Sequence, residues 1–356
     1  MKPTQRDPHA RSSSDASQDP LRPGDLLLAD PFMSDPSFER SVVLVLHTDL
    51  EGQEGLGLPD SDYYLKTDEQ SLDIQTKYKA HKFSFPDWSA SYIDKSSPIL
   101  NQLNTLSPRL AFSFRDYINA GVKYSYIYNE SLKKGIKHPR MLMANSNFTG
   151  IIGSLLSTTN IVQKDSTGAM LLGGVRYSKF IKTDADFRKY YNFHHERQMI
   201  FRSYAGIAVP FGNGDIAVPF DKMYFTGGAN GVRGWKIRTL GPGSSVDSNN
   251  IDKLGEIKIE LNAEYRFKIN SMIKGALFTD AGNIWRLEDK DDKAVFHFNR
   301  FYKELAIAAG AGLRFDFGFL VARIDLGWPI RKPYQYDVIS FHLNEAEFNV
   351  GIGYPF

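Results

Sequence analysis

From Glu256 to Ile269 the chain alternates without a break. Ile257, Ile259, Leu261, Ala263, Tyr265, Phe267 and Ile269 are apolar, and Glu256, Lys258, Glu260, Asn262, Glu264, Arg266 and Lys268 are polar. Successive side chains of a strand point to opposite faces, so this segment presents one face to an apolar medium and one to a polar medium. Leu305–Phe317 repeats the pattern with Arg314 and Asp316 on the polar face, and Leu320–Ile330 repeats it with Arg323 and Asp325. The last segment sets Ala346, Phe348, Val350, Ile352, Tyr354 and Phe356 opposite Glu347, Asn349, Gly351 and Gly353. Soluble sandwich strands average five or six residues, whereas a tilted membrane-crossing strand needs about 9–11. These segments are of the longer kind. Charges of both signs mixed with glycine suit a wet lumen, and the apolar faces suit lipid.

Composition agrees with strands. Aromatic residues make up 13% of the chain, with 25 Phe, 18 Tyr and 29 Gly, the residues of strands and turns. No run of about 18 uncharged apolar residues occurs, so the chain is not a helical membrane protein. A net charge of +2 gives no case for nucleic-acid binding, and the absence of cysteine excludes thiolate metal sites, disulfides and cysteine catalysis. Trp285 and Trp328 fall near strand ends, where an interfacial aromatic girdle is expected. Further strands are expected at 109–130, 141–156, 176–193, 197–212 and 271–287, for nine to eleven in all. The fold class expected is all-β, an antiparallel transmembrane barrel over 108–356, with a soluble β-protein as the other reading of the alternation. Residues 59–107 form a weakly patterned linker or early strands, with a short helix near 100–106.

The amino-terminal part reads differently. Residues 1–23 lack an apolar signal-peptide core and suit a disordered leader. Residues 24–58 contain a continuous apolar run, Val42–Leu46, of the kind found in buried strands. Leu26-Leu27-Leu28-Ala29, Asp35-Pro36, Arg40-Ser41-Val42-Val43 and Gly55-Leu56-Gly57-Leu58 resemble the start of the AlgH/YqgE family, and the pattern stops at Pro59, where that family carries Asn. An ordinary buried hairpin with chance similarity is the other reading of this piece.

Between the strands ending near Phe211 and starting near Leu254 lies a connection of about forty residues, long enough to suggest function. It contains Phe225-Thr226-Gly227-Gly228-Ala229-Asn230-Gly231-Val232-Arg233-Gly234-Trp235 and then Leu240-Gly241-Pro242-Gly243. Glycines around a single arginine permit close backbone approach and suit insertion into a narrow polar space. A flexible external loop with an incidental Arg is the alternative.

This loop resembles the signature of the BamA/TamA-type outer-membrane assembly superfamily, with Val232-Arg233-Gly234-Trp235 as the tip that folds back into the barrel. The Gly-Gly-Ala-Asn lead-in, Gly227, Gly228 and Asn230 included, and the Leu-Gly-Pro-Gly tail resemble the TamA-like branch. Phe278-Thr279-Asp280-Ala281-Gly282 is similar to the family's Phe-x-Asp-x-Gly strand motif, and Glu264 occupies the position of the acid that faces the loop Arg. The resemblance implies that Glu264 and Asp280 are lumen partners of Arg233; both have lumen parity in the alternation. Asn349, Gly351, Tyr354 and Phe356 resemble the carboxy-terminal insertion signal of outer-membrane barrels.

The resemblance implies a bacterial outer-membrane protein that assists insertion or translocation of other proteins. Its implied partners are lipid, client outer-membrane proteins and the machinery that reads the last strand; no nucleic acid, cofactor or metal is implied. Family barrels have about sixteen strands preceded by POTRA repeats, and the expectation here is a truncated barrel joined to an unrelated start. No enzyme is expected. His194 and His195 are adjacent and would point to opposite faces of a strand, so they do not share a metal. A passive pore, or a non-functional fusion with a cytoplasmic AlgH-like start, is the competing reading.

Overall fold

The structure, a computed structural model, describes residues 63–68, 71–76, 78–91, 108–113, 115–151, 162–165, 169–212, 217–246, 252–335, 339 and 341–356. All fall within the unit Val42–Phe356. The leader 1–23, the AlgH-like piece 24–58 and the helix expected near 100–106 lie outside the described residues.

The elements are β1 (Tyr63–Asp68), β2 (Ser71–Thr76), β3 (Lys79–Ser91), α1 (Pro108–Ser113), β4 (Tyr117–Asn129), β5 (Arg140–Thr149), β6 (Val162–Lys164), β7 (Met170–Leu172) and β8 (Val175–Tyr177). They continue with β9 (Phe180–Asn192), β10 (Gln198–Pro210), β11 (Ile257–Lys268), β12 (Ile273–Trp285), β13 (Ala306–Asp316), β14 (Val321–Arg331) and β15 (Glu347–Ile352). The wall runs β1-β2-β3-β4-β5-β9-β10-β11-β12-β13-β14-β15, each strand antiparallel to the next. Strands β6–β8 form a side flap that joins the wall by a short parallel pairing of β8 with β4. The central wall strands, β3–β5 and β9–β14, have 10–13 residues, the length a tilted crossing requires.

Burial is inverted relative to a water-soluble protein. Leu261, Leu277, Leu313, Ile324 and Phe348 are exposed on the outside, while Glu260, Glu264, Asp280, Arg314, Arg323 and Asp325 are buried inside. Apolar side chains face outward because lipid is their medium, and polar ones face inward where hydrogen-bond partners exist. The fold is an all-β antiparallel transmembrane barrel wall. No helix among the described residues is long and apolar enough to cross a membrane.

Among the described residues the wall starts at Tyr63, upstream of the expected 108 boundary, and 63–91, within the stretch read as linker or early strands, contributes three strands. The strand expected from residue 109 is replaced at its start by α1; Pro108 suits the first turn of a helix, where its missing N–H costs nothing.

Short turns (193–197, 269–272, 317–320) close one end of the wall and long loops the other. At the long-loop end Phe180, Tyr204, Val218, Met223, Tyr224, Leu254 and Ile284 form an apolar core against which Phe112 of α1 packs. Arg109 of α1 is ion-paired with Glu256 just ahead of β11. Burial beside Arg286 lowers the Arg109 guanidinium to about 10. Trp285 is not a girdle residue: it is fully buried, edge-on to Phe296 and Phe301, and its Nε1 donates to Glu304 at 2.6 Å. At the end of β12 the loop 286–305 covers Trp285 on one face, and the apolar core covers Ile284 on the other. Trp328 does stay on the outer face, partly exposed and tilted against Phe341.

Candidate functional site

The long loop between β10 and β11 turns back into the barrel, and its tip is built for narrowness. Gly227 and Gly228 have φ of 90° and 79°, a region open to glycine, and the tip closes on itself by Gly228 N–H to Trp235 O (2.7 Å) and Trp235 N–H to Val232 O (3.2 Å). A Cβ on Gly234 would meet Ala308 Cβ at 2.8 Å and Pro329 N at 3.0 Å. The tip therefore lies flat on β13 and β14, at the place where their register shifts between Ile307 and Ala308. Val232 is fully buried with Leu240, Ala306 and Ala308, and Trp235 packs beside them.

Arg233 has no solvent exposure. Its Nε donates to Asp280 Oδ2 at 2.7 Å, Nη2 to Asp280 Oδ1 at 2.9 Å, and Nη1 to Glu264 Oε2 at 2.6 Å. Asp325 Oδ2 stands 3.7 Å from Nη1, and the guanidinium carbon lies 3.5 Å from the centre of the Phe278 ring. A planar cation is thus held edge-on by two carboxylates and face-on by an aromatic quadrupole.

The strand motif acts at two-residue intervals along one lumen face of β12. Phe278 stacks under the guanidinium, Asp280 clamps it, and Gly282 leaves the space that Val232 fills, since a Cβ there would come within 3.0 Å of Val232 Cγ2. The carboxylates are themselves supported. Glu264 accepts from Arg266 Nε at 2.7 Å and lies 3.1 Å from Arg314 Nη2, while Asn262 Nδ2 bridges Asp280 Oδ1 (2.9 Å) and Gly231 O (3.1 Å). Farther up the loop, Thr226 donates to Glu260 at 2.5 Å, and Arg202 spans Glu260, Asn262 and Asp186. Asp280, Glu264 and Glu260 each accept from several donors, the condition under which buried charge is tolerated, while Asp325 accepts from Arg314.

The carboxy-terminal residues divide. Asn349 faces inward and donates from Nδ2 to Arg233 O at 2.9 Å, and Gly351 lies directly beneath the Arg323 guanidinium. Asn230 accepts from Arg323 Nη2. Tyr354 and Phe356 do not continue on the lipid face. Strand β15 ends at Ile352, Gly353 takes φ of 78°, and the chain turns inward. Arg266 then stacks on the Tyr354 ring at 4.2 Å and reaches Phe356 O at 3.3 Å, leaving Phe356 7% exposed. The positive φ at Gly353 breaks the alternation on which the sequence reading rested.

Asn262, Arg266, Arg314, Arg323 and Asp325 belong to the cluster but were not singled out from sequence. All have lumen parity, and the doublets Glu264-x-Arg266 and Arg323-x-Asp325 set opposite charges on one face, which is the signal that could have found them.

This geometry of loop and strand motif can be compared with known proteins. The sequence model of the Omp85 superfamily domain matches residues 58–356. The chain belongs to the Omp85 superfamily. Among curated proteins, this Omp85 chain is 23% identical over 259 residues to the human "Sorting and assembly machinery component 50 homolog", a match covering 69% of the chain and 49% of that protein. The chain thus spans about half the length of the curated relative it matches. Among solved structures it is similar to BamA from Haemophilus ducreyi lacking POTRA domains 1–3, with 13% identity and a TM-score of 0.38, covering 80% of this chain and 63% of that one.

Proposed function

We propose that this Omp85 chain is an outer-membrane protein, of the bacterial outer membrane, that assists the insertion of other β-barrel proteins. The observation that carries the reading is the full burial of Arg233 between Asp280 and Glu264 at the tip of a loop about forty residues long. A channel that only conducts gains nothing from a loop and an ion cluster that fill part of its own lumen. The name of the human relative, a sorting and assembly component, points the same way.

The mechanism is strand addition without bond chemistry. A client strand would form backbone hydrogen bonds along the edge of the terminal strand, while alternate side chains set its register. Among the described residues β15 pairs with β14 alone, which leaves that edge available to a partner. Within the superfamily, the Gly227-Gly228-Ala229-Asn230 lead-in and the Leu240–Gly243 tail favour the TamA-like branch.

The reading is tested by reconstituting the chain into lipid vesicles and following protease-resistant folding of an added unfolded barrel client. Faster client folding than in empty vesicles, lost on Arg233→Ala, is the expected result. A steady ionic conductance with no effect on client folding would favour the passive pore instead.

A further inference from the structure

We infer that Asn349 is a positioning residue that, with Arg323, ties the terminal hairpin β14–β15 to the loop tip, so that the tip controls the edge strand. This deepens the assembly reading and rests on it for its biological purpose.

On one side, β15 is held by backbone pairing. It has six residues, pairs with β14 from Ala322↔Ile352 to Gly327↔Glu347, and exposes Phe348, Val350 and Ile352 on its outer face. A short edge strand with one neighbour frays readily, because each residue gains half the backbone bonds of a central strand and buries one face at most. What β15 has in addition is directed inward. Asn349, at the middle of the strand, gives its side-chain amide to Arg233 O at 2.9 Å in a buried setting. One strand over, Arg323 donates to Asn230 on the same tip and rests on Gly351, where any side chain would collide with it. Gly327 of β14 brings its Cα against Arg233 O, a space that a Cβ would occupy. Asn230 and Arg233 within 227–235 are thus each fixed to the last hairpin.

The asymmetry of these contacts makes a specific claim. Arg233 holds Glu264 through its side chain, Asp280 through its side chain and its backbone N–H, and Asn349 through its backbone carbonyl. Loss of the Asn349 amide should therefore free β15 while the tip stays anchored, whereas loss of the Arg233 side chain should free both.

The test is amide hydrogen exchange on the full chain refolded in detergent. Asn349→Asp keeps the side-chain volume and removes the donor; Asn349→Ala is the companion variant. Losing one buried neutral hydrogen bond should speed exchange in 347–352 by roughly tenfold, with 227–235 unchanged, and Arg233→Ala should speed both segments. Unchanged exchange in 347–352, or equal acceleration through β13 and β14, overturns the tether.

A second measurement separates the tether from its purpose. The chain has no cysteine, so Leu326→Cys with Phe348→Cys, paired across β14 and β15 on the outer face, installs a single artificial tie. If the tip acts through β15, the oxidised pair should restore client folding to Arg233→Ala, and reduction should abolish the rescue. No rescue together with the expected exchange pattern would leave the tether standing and overturn the assembly role given to β15.

Discussion

Arg233 and Asp280 are joined by three hydrogen bonds: the Arg233 backbone N–H reaches Oδ2 at 3.1 Å, Nε reaches Oδ2 at 2.7 Å and Nη2 reaches Oδ1 at 2.9 Å. One carboxylate therefore fixes both the side chain and the main chain of the loop tip. Arg233→Lys should not substitute, because an ammonium offers no planar fork. Arg233→Ala leaves Asp280 buried without its cation and takes one of three guanidinium partners from Glu264, and should cost about 3–5 kcal/mol. Asp280→Asn should be similarly damaging, and the double variant should cost less than the sum of the two by roughly 0.5–3 kcal/mol. Denaturant unfolding of the refolded chain measures all three; strict additivity would show that the pair does not act as a unit.

Gly234 has no room for a side chain against Ala308 and Pro329. Gly234→Ala should lift the tip off β13 and β14 at a cost of about 1–3 kcal/mol, the usual range for overpacking. Limited proteolysis should then cut within 227–235 faster than in the unaltered chain. Ala308→Gly on the same background should recover part of the loss by reopening the space.

Phe356 is buried beside Arg233 and Arg266. Phe356→Ala should weaken the folded barrel itself, by about 3 kcal/mol at the low end of the range for large aromatic deletions. Refolding into detergent, with no cellular machinery present, should already show the deficit. Normal stability in that assay would return Phe356 to the role of a recognition signal alone.

Asp292, in the loop after β12, faces Arg300 Nη1 at 2.6 Å and His297 Nε2 at 2.9 Å, and these contacts hold its carboxyl below the usual range. A depressed folded value contributes stability that is complete above the unfolded value, near pH ~3.9, and is lost as pH falls through the folded value. Exchange in 286–305 should accelerate below about pH 4 while β11 and β12 stay protected. Asp292→Asn should weaken that pH response, leaving the part that comes from Asp289, whose carboxyl the Asp291 backbone N–H and Arg286 also hold low.

Parity was legible in the chain because it is local. Glu264 and Asp280 could be assigned to the lumen from the alternation of their own strands, since a strand's side chains change face at every residue whatever surrounds it. The glycine pattern around Arg233 likewise marked a tip shaped for close approach. The same local rule failed for Tyr354 and Phe356, where a single positive φ at Gly353 ended the strand, and for Trp285, whose cover comes from Phe296 and Phe301 in the following loop. It placed no strands in 63–91, whose polar stretches become strands by pairing in series, β1 with β2, β2 with β3 and β3 with β4.

Within the regular strands β11–β14 the sequence by itself determined which face each side chain takes, because that choice is made within each strand. Which lumen side chains meet was decided by tertiary structure alone. Asp325 and Glu264 share Arg233, and Asn349 reaches its carbonyl, only because the stagger of neighbouring strands and the inward path of the loop bring distant heights of the wall to one point. Those are long-range registers, fixed by the pairing of whole strands and by the space that Gly234, Gly282 and Gly327 leave open, and no window of adjacent residues contains them.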